Sequence, residues 1–515
     1  MAWGCLVTGV QIGAITLLSG CAMGPHYLPP DLPFPWTQFS ATANVVPHSA
    51  APSPAITHWW TTLGDPELDS LVDRVVLSNP SVEIALTRIS IARANEIAVR
   101  GAALPDADAS VGAARGTGTN STRGRVAPPM NAATNTSGLR EITDVAGFDA
   151  GWELDLFGKH RRAMEAAQYA TDLAVEQRRD VLVSVVAEVA RAYVEARGAQ
   201  QRLRVVEETA DRARETLKLV RERYQRGLTN ELDVTLASRQ LATYRAQIPP
   251  LTAEIYAQFV RIAVLLDVPS GTLIGELSPR RLIPRTPERL KTGVPAEIIR
   301  RRPDIRAAER ELAVATAEIG VAAADLFPRV AITAGGGAQN QGLGVTPVVW
   351  KSIYSVGPTL YWPLLDFGTL DALVQAQAFR SHAQYVHFKD TVLSAVEEAN
   401  LAITRYRAQM AAIQMLNKAR ADARQAVDLA TQRYDRGVTD FLNVLDAQRE
   451  EDALNLEYAA ARTSAAVDFI AIYKALGGGW EMFDELPLEP IARPAIVAAF
   501  EQLRQRGEGF PSAGE

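Results

Sequence analysis

One heptapeptide occurs twice in the chain, as RYQRGLT at residues 223–229 and as RYDRGVT at residues 433–439. The similarity continues beyond it, because Leu232 corresponds to Leu442 at the same spacing. Self-similarity over such a distance is the signature of a structural unit that is used more than once. We therefore predict that the chain consists of two internal repeats of one plan.

Further matches extend the repeat upstream of the heptapeptide. They pair Trp152 with Trp362, Phe157-Gly158 with Phe367-Gly368, and Asn79-Pro80 with Arg302-Pro303. The last pair has a larger offset than the others, so the first half contains roughly a dozen extra residues, which fall in a polar stretch rich in Gly, Asn and Pro between residues 105 and 152. We predict a longer loop there.

Long helices are the clearest local prediction. Apolar residues between Val206 and Tyr224 are alternately four and three positions apart, which is coiled-coil spacing. A helix from about 160 to 227 would be on the order of 100 Å long, and the helix that returns after the turn little more than half that. A helix from about 79 to 104 has roughly the missing length. We predict that it stacks end to end on the returning helix, in which Pro249-Pro250 makes a kink rather than a stop.

Four extended segments are placed symmetrically in the two halves, at roughly 106–115, 143–156, 328–338 and 352–364. Strands of about ten residues with aromatic residues at their ends suit a transmembrane β-barrel. Four strands leave two open edges, and about eight strands is the smallest barrel usually seen, so two or three chains must contribute strands. The alternative is a small soluble sheet that caps the helices.

The N-terminus reads as an export signal. The first twenty residues are uncharged and mostly apolar, which is too short and too interrupted for a membrane span, although the Lys or Arg usual near the start is missing. Leu18-Ser19-Gly20-Cys21 resembles a bacterial lipobox, which predicts lipid attachment at Cys21. The alternative is a buried cysteine after an ordinary signal. If Cys5 leaves with the signal and Cys21 is acylated, neither a disulfide nor a thiolate metal site is expected.

The predicted fold class is mainly α with a transmembrane β-barrel portion. Six segments are expected along the chain. They are a signal peptide at 1–20, a lipidated N-terminal segment and linker at 21–57, a first repeat at 58–268, a connecting segment at 269–300, a second repeat at 301–480 and a C-terminal tail at 481–515.

Several motifs together resemble one family. They are Trp59-Trp60 with GDPEL at 64–68, WELDLFG at 152–158, RPDIRAAE at 302–309, ADLFP at 324–328 and the two Arg-Tyr-x-x-Gly turns. The chain is similar to the outer-membrane factor family, in its lipoprotein branch that serves resistance-nodulation-division efflux pumps. The resemblance implies a homotrimer with a twelve-strand barrel in the outer membrane and a helical tunnel across the periplasm. It also implies docking to a periplasmic adaptor and to an inner-membrane transporter of that type.

Candidate functional residues lie at and just beyond the turns. Glycine at a helix C-terminus tolerates a positive φ, so turn geometry alone is one explanation of the motif. The other is a periplasmic tip that contacts the adaptor, the role which the resemblance assigns to this region. The candidate adaptor-contacting residues are Tyr224, Gly227, Leu228, Thr229, Tyr434, Gly437, Val438 and Thr439, and the two tyrosines are expected to tie neighbouring helices together. Asp233 and Asp446 are candidates for an acidic ring at the tunnel constriction; the alternative is that they are solvated helical carboxylates.

Other classes of function are disfavoured. A net charge of -6 and a pI near 5.7 provide no basic surface for nucleic acid. Gly158-Lys159 lacks the pattern of a phosphate loop, and His382 and His387 do not share a helix face as a zinc pair would. The run from Arg300 to Arg302 is predicted to be a solvated loop before a helix that starts at Pro303.

We therefore expect no enzyme and no cofactor other than the lipid on Cys21. The predicted function is a passive exit duct for small molecules. A conduit for type I protein secretion and a lipid-anchored coiled coil without a pore are the alternatives.

Overall fold

The computed structural model describes residues 22–31, 54–117, 140–287, 300–343 and 350–484. The predicted signal peptide, the lipid-attachment residue Cys21 and the tail after residue 484 lie outside the described residues. All structural statements below concern the described part.

The first half contains short helices, a strand pair and a helical hairpin. In chain order these are α1 (Pro54–Thr57), a 3-10 turn (Trp59–Leu63), α2 (Pro66–Ser78), α3 (Pro80–Gly101), β1 (Asp106–Thr117), β2 (Arg140–Leu154), α4 (Lys159–Gln225), α5 (Glu231–Leu265) and α6 (Ser270–Leu277). The second half repeats the central part. It contains α7 (Pro303–Ala324), β3 (Arg329–Leu343), β4 (Trp350–Tyr361), α8 (Thr369–Asp435), α9 (Phe441–Ala475) and a 3-10 turn (Glu481–Phe483).

Corresponding helices of the two halves have equal lengths. The long helices α4 and α8 each have 67 residues, and the returning helices α5 and α9 each have 35. The helices before the strands, α3 and α7, each have 22. The predicted fold class with two internal repeats is confirmed, and α5 continues through Pro249-Pro250 as predicted.

The four strands form one antiparallel sheet in the order β1-β2-β3-β4. The two strands of each half pair with each other, and β2 pairs with β3 from Glu141 opposite Leu343 to Leu154 opposite Val330. Among the described strands, β1 and β4 therefore each have a single neighbour. This is the expected form of one chain's share in a trimeric barrel, since four strands are too few to close alone.

The chain divides into two compact units. Of the described residues, the first comprises 22–30, 91–117, 140–173, 308–343 and 350–388 and contains the sheet, and the second comprises 31, 54–90, 174–287, 300–307 and 389–484. The core of the second unit is built from α2 and the middle of the long helices around large buried side chains. They include Trp59, Trp60, Tyr193, Tyr406 and Phe469. A smaller buried cluster in the same unit includes Val220, Leu241, Tyr244, Phe441 and Val444.

The helices before the strands start where the returning helices end, as the length argument predicted. Asn79 accepts from the N–H groups of Ser81 and Val82 and donates its amide to the Leu265 carbonyl at 2.7 Å. It therefore caps the start of α3 and satisfies the last turn of α5 at once.

Arg302 satisfies the last turn of α9 in the second half. The prediction that this arginine is solvated was wrong, although the helix begins at Pro303 as predicted. Arg302 was expected in a solvated loop, but it is 8% exposed and donates to the Ala475 carbonyl at the end of α9. Asp304 and Glu398 accept from the same guanidinium at 2.7 and 3.0 Å. The unsatisfied carbonyls of a helix end attract a cation, which explains why this arginine is buried rather than solvated.

Within the described ranges, every helix is too short or too polar to cross a lipid bilayer.

Candidate functional site

Both Arg-Tyr-x-x-Gly motifs end a long helix in the same way. Gly227 has a φ of 73° and donates to the Tyr224 carbonyl at 2.9 Å, and Leu228 donates to the Arg223 carbonyl at 2.9 Å. Gly437 repeats the pattern with a φ of 70°. These paired bonds define a Schellman motif, in which glycine avoids the strain of the left-handed conformation. The geometric explanation of the motif therefore holds at both turns.

The two tyrosines of the motifs have different surroundings although the repeat makes them equivalent. Tyr434 is half-buried, lies 4.4 Å from the Arg223 guanidinium and 5.7 Å from the Phe441 ring. Arg223 also lies 3.5 Å from the Asp435 carboxylate. Tyr224 is 44% exposed. Tyr434 therefore ties the first turn to the second through a cation–π contact, whereas Tyr224 has an open face.

Thr229 and Asp233 are hydrogen-bonded to each other at the start of α5, where Asn230 caps the helix by accepting from the Asp233 N–H. At the corresponding place in the second half Asn443 donates to Thr439 at 2.7 Å. Asp233 is thus fixed in the first turn, where a carboxylate also interacts favourably with the helix dipole.

Asp446 lies one turn further along its helix than Asp233 does. Its side chain is 63% exposed, and the Arg449 guanidinium lies 3.7 Å away. The two aspartates are therefore not equivalent by the repeat, which pairs Asp233 with Asn443. Exposure leaves Asp446 free to face water, as a constriction residue must.

A buried carboxylate joins the two helical hairpins. Asp452 of α9 is 6% exposed and accepts from Thr209 and Arg212 of α4 at 2.9 and 2.7 Å, and from the Tyr244 hydroxyl of α5 at 2.6 Å. Burial and the hydrogen bond to Asp452 raise the pKa of Tyr244, which keeps its hydroxyl a donor. Arg449 adds a second tie by donating to Gln240 at 2.7 Å. Charged hydrogen bonds at a buried position hold these helices together strongly.

Tryptophans anchor the strands to the helices that precede them. Trp152 at the end of β2 donates its indole N–H to the Ala103 carbonyl at 3.2 Å, and Trp362 after β4 donates to the Leu326 carbonyl at 3.1 Å. Large apolar side chains of this unit are exposed in the single chain. They include Val111, Trp350, Tyr354, Val356, Leu360, Tyr361, Leu365 and Phe367. An exposed apolar band with aromatic ends suits contact with lipid.

The segment from Ala22 to Tyr27 is held against the base of the sheet. Met23 donates to the Phe157 carbonyl at 3.1 Å, and the Arg162 guanidinium, which is 2% exposed, donates to the Met23 and Gly24 carbonyls. A Cβ at Gly24 would lie 2.5 Å from the Gly320 Cα, so only glycines allow this approach.

Further along the same segment, the Tyr27 hydroxyl donates to Glu309 at 3.1 Å, and its ring contacts Tyr169 edge-on. The residue that follows Cys21 is thereby fixed beside the junction of β2 and α4.

Sequence reasoning missed Asp452 and Arg162. Asp452 could have been found by comparing the repeats, because the first half has Ala242 at the corresponding position. A carboxylate on the inner face of a helix needs hydrogen-bond partners. The run from Lys159 to Arg162 opens a helix, where the dipole disfavours cations, and this was a signal for Arg162. Within the described residues no cluster of His, Cys, Asp and Glu suited to a metal ion is found.

The chain matches the family model described as outer membrane efflux protein over residues 71–267 and 294–478. The first stretch lies within the predicted first repeat, and the second overlaps most of the predicted second repeat.

Curated relatives match over nearly their whole length. Nodulation protein T of Rhizobium leguminosarum bv. trifolii is 31% identical over 470 residues, which cover 90% of this chain and 96% of the relative. The pyoverdine export outer membrane protein of Pseudomonas aeruginosa is 27% identical, with 91% and 96% covered. Among solved structures, the outer-membrane channel OprN has a TM-score of 0.78 at 33% identity and covers 89% of this chain and 100% of its own.

Proposed function

Because the chain belongs to the outer membrane efflux protein family, we propose that it forms the exit duct of a tripartite efflux system. In this role it conducts small molecules passively from an inner-membrane pump and a periplasmic adaptor to the cell exterior. The observation that carries the proposal is the combination of a four-stranded sheet with two open edges and two helical hairpins of equal length. A lipid-anchored coiled coil without a pore has no use for that sheet.

Three copies would complete the duct. Open strand edges in lipid leave backbone groups without partners, which costs several kcal/mol each. Three chains with four strands each make twelve strands, which exceeds the smallest barrels of about eight and leaves room for a lumen. The exposed apolar band around Tyr354 and Leu360 supports a membrane position for this sheet.

The tip of the helical hairpins is the proposed contact for a periplasmic adaptor. The polypeptide at both turns is exposed, with Leu228 at 66% and Val438 at 63%. Exposed apolar side chains on a fixed turn offer a partner both surface and shape. The residues proposed for this contact are Tyr224, Gly227, Leu228, Thr229, Tyr434, Gly437, Val438 and Thr439. Adaptor binding would open the duct by favouring a state in which the contacts of Arg223 with Tyr434 are broken.

Asp233 and Asp446 are proposed to line the constriction in the closed state. Repetition of each carboxylate by the threefold axis of the trimer would give acidic rings that interact with passing cations.

Cys21 is the proposed attachment point for the lipid. The docked segment that follows it supports this, because Ala22 lies against the junction of β2 and α4, which is the side of the sheet where the helices begin. An acyl chain attached one residue earlier would start beside the membrane-spanning sheet.

The cargo is proposed to be small molecules. By their names, the similar proteins include one for pyoverdine export. The duct itself would bind no cofactor besides the lipid, and its energy would come from the inner-membrane partner.

Conductance of the purified mature protein in planar bilayers, together with its mass in mild detergent, tests the proposal. We expect a small, stable conductance from a species of three chains. A monomer without conductance would refute the duct and leave the coiled-coil alternative. A conductance that rises when purified adaptor is added would identify the tip as the regulated end.

A further inference from the structure

Among the described strands, β1 and β4 each have a neighbour on one side only, which leaves the backbone N–H and C=O groups of the other edge available for pairing. We infer that β4 of one copy pairs with β1 of a second copy in one defined register, in which the residue numbers of each pair add up to 471. The inference rests on the proposed trimeric duct and adds the residue pairs at the seam between copies.

The internal repeat supplies the register, and the sheet itself tests the method. β1 and β3 begin at Asp106 and Arg329, which are 223 positions apart, while α4 and α8 begin at Lys159 and Thr369, which are 210 apart. Residue numbers in every β1–β2 pair add up to 257. Adding 223 to each β1 residue number and 210 to each β2 residue number raises this sum to 690. The residue numbers of every β3–β4 pair add up to the same value. The repeat therefore maps one observed register onto the other without a slip.

The same operation on the central pair produces the seam. Residue numbers in the β2–β3 pairs add up to 484. Adding 210 to a β2 residue number gives the corresponding β4 residue, and subtracting 223 from a β3 residue number gives the corresponding β1 residue. The sum for a β4–β1 pair is therefore 471. Ala150 opposite Ala334 thereby becomes Leu360 opposite Val111 of a second copy. A slip of one residue would turn every side chain of one strand to the wrong face, so the register must be specific.

A side-chain contact beyond the strand ends obeys the same arithmetic. Phe157 stacks on Phe327 within the chain, with ring centroids 4.8 Å apart and planes 18° apart. The repeat converts these two residues into Phe367 and Leu104. In the single chain these are 97% and 62% exposed, which is unusual for apolar side chains of this size unless a partner covers them. In the seam register Phe367 lies against Leu104 of the second copy.

The seam differs from the central pair in charge. Next to Phe157 and Phe327, Lys159 donates to Asp325 at 2.7 Å. The repeat converts this ion pair into Thr369 and Ala102, which carry no charge. The seam therefore has no counterpart of the Lys159–Asp325 ion pair.

Disulfide trapping of the full-length protein in membranes tests the register. Directly opposed residues on antiparallel strands have Cα atoms about 4.5–5.5 Å apart, within disulfide range, whereas a shift of two residues moves them to about 7–8 Å, beyond it. We expect V111C/L360C to shift under oxidation to bands of two and three chain masses. A109C/L360C, two positions out of register, should stay at one chain mass. A150C/A334C is the matched control for the geometry, since it should close within one chain.

A substitution pair tests the side-chain contact without new cysteines. F367L should lower the temperature at which the detergent-purified trimer dissociates, and L104F added to it should restore that temperature, because the two copies exchange side chains of similar total volume. Restoration supports the contact. Dissociation that L104F does not change overturns it.

The outcomes separate this inference from the duct itself. Cross-linking of A109C/L360C instead of V111C/L360C, or trimers that cross-link at neither pair, would overturn the register while a wild-type conductance leaves the duct intact. If wild-type protein forms neither trimer nor pore, the proposed function fails first.

Discussion

At the scale of single residues, the glycines that follow α8 and α9 have similar backbone conformations but different neighbours. Gly437 and Gly477 have φ values of 70° and 64°. A Cβ at Gly437 would meet nothing within 4 Å, whereas at Gly477 it would lie 2.8 Å from the Arg302 Cγ and 3.1 Å from its Cα. Alanine at 437 should cost about 1–2 kcal/mol through the left-handed conformation alone.

Alanine at 477 should cost more, because Arg302 is fixed by its ion pairs and cannot move aside. Thermal unfolding of the two variants in detergent measures the order. Equal losses of stability in G437A and G477A would mean that the Arg302 side chain moves aside freely, contrary to its burial.

A second prediction at this scale concerns Asp180. Burial raises the pKa of its carboxyl above the ordinary 3.8, Asp304 adds to the effect, and Arg302 opposes it. Ionised Asp180 therefore destabilises the folded state at neutral pH. This cost is full above the raised pKa, falls as the pH drops through it, and is absent below the ordinary value. D180N should raise the melting temperature at neutral pH, and the gain should shrink on acidification.

The exposed Glu208 on the same helix provides a control for D180N. E208Q removes the same charge without removing a buried one, so it should leave the melting temperature nearly unchanged. A gain for D180N that is constant with pH would show that the amide acts through packing rather than through charge.

At the scale of elements, Asp452 is the tie between the hairpins. It receives hydrogen bonds from α4 and α5 onto α9, so D452N should cost about 1.5–3 kcal/mol, the range for hydrogen bonds to a charged group. Y244F should cost less alone, and its effect should be smaller in the D452N background, because the Tyr244 hydroxyl then no longer donates to a charged group. D446N on the same helix is the exposed control. Additive losses for Y244F and D452N would show that Tyr244 stabilises the protein through other contacts.

The positions of the helices and strands could be predicted because the spacing of the apolar residues differs between the two kinds of element. The internal repeat also provides two independent copies of each element. End-to-end stacking of α3 on α5 followed from length alone. The sequence did not predict the burial and the partners of single polar residues. The run of arginines predicts a solvated Arg302, because the sequence pattern is the same whether the side chain faces water or the carbonyls at a helix end. The difference between Tyr224 and Tyr434 could not be predicted either, because it arises from contacts with the other hairpin and not from the motif.

At the scale of the whole molecule, closure of the tip is the property to test. Replacement of Asp233 and Asp446 by alanine removes the hydrogen bond to Thr229 and the charge beside Arg449. We expect a higher ion leak through the reconstituted protein, because the proposed closed tip loses the hydrogen bond between Thr229 and Asp233 and its acidic groups. E450A, an exposed neighbour on the same helix, should have no effect. Unchanged conductance of the double variant would remove both aspartates from the constriction.

The docking of the segment from Ala22 to Tyr27 carries a consequence for the timing of assembly. Tyr27 and its acceptor Glu309 are 282 positions apart in the chain, and Gly320, on which Gly24 packs, comes later still. A chain exported from its N-terminus presents the segment long before it presents the surface that receives it. The beginning of the chain must therefore wait, undocked, until the first helix of the second repeat has crossed. The base of the sheet is sealed only then, so the residues that arrive first are among the last to reach their final place.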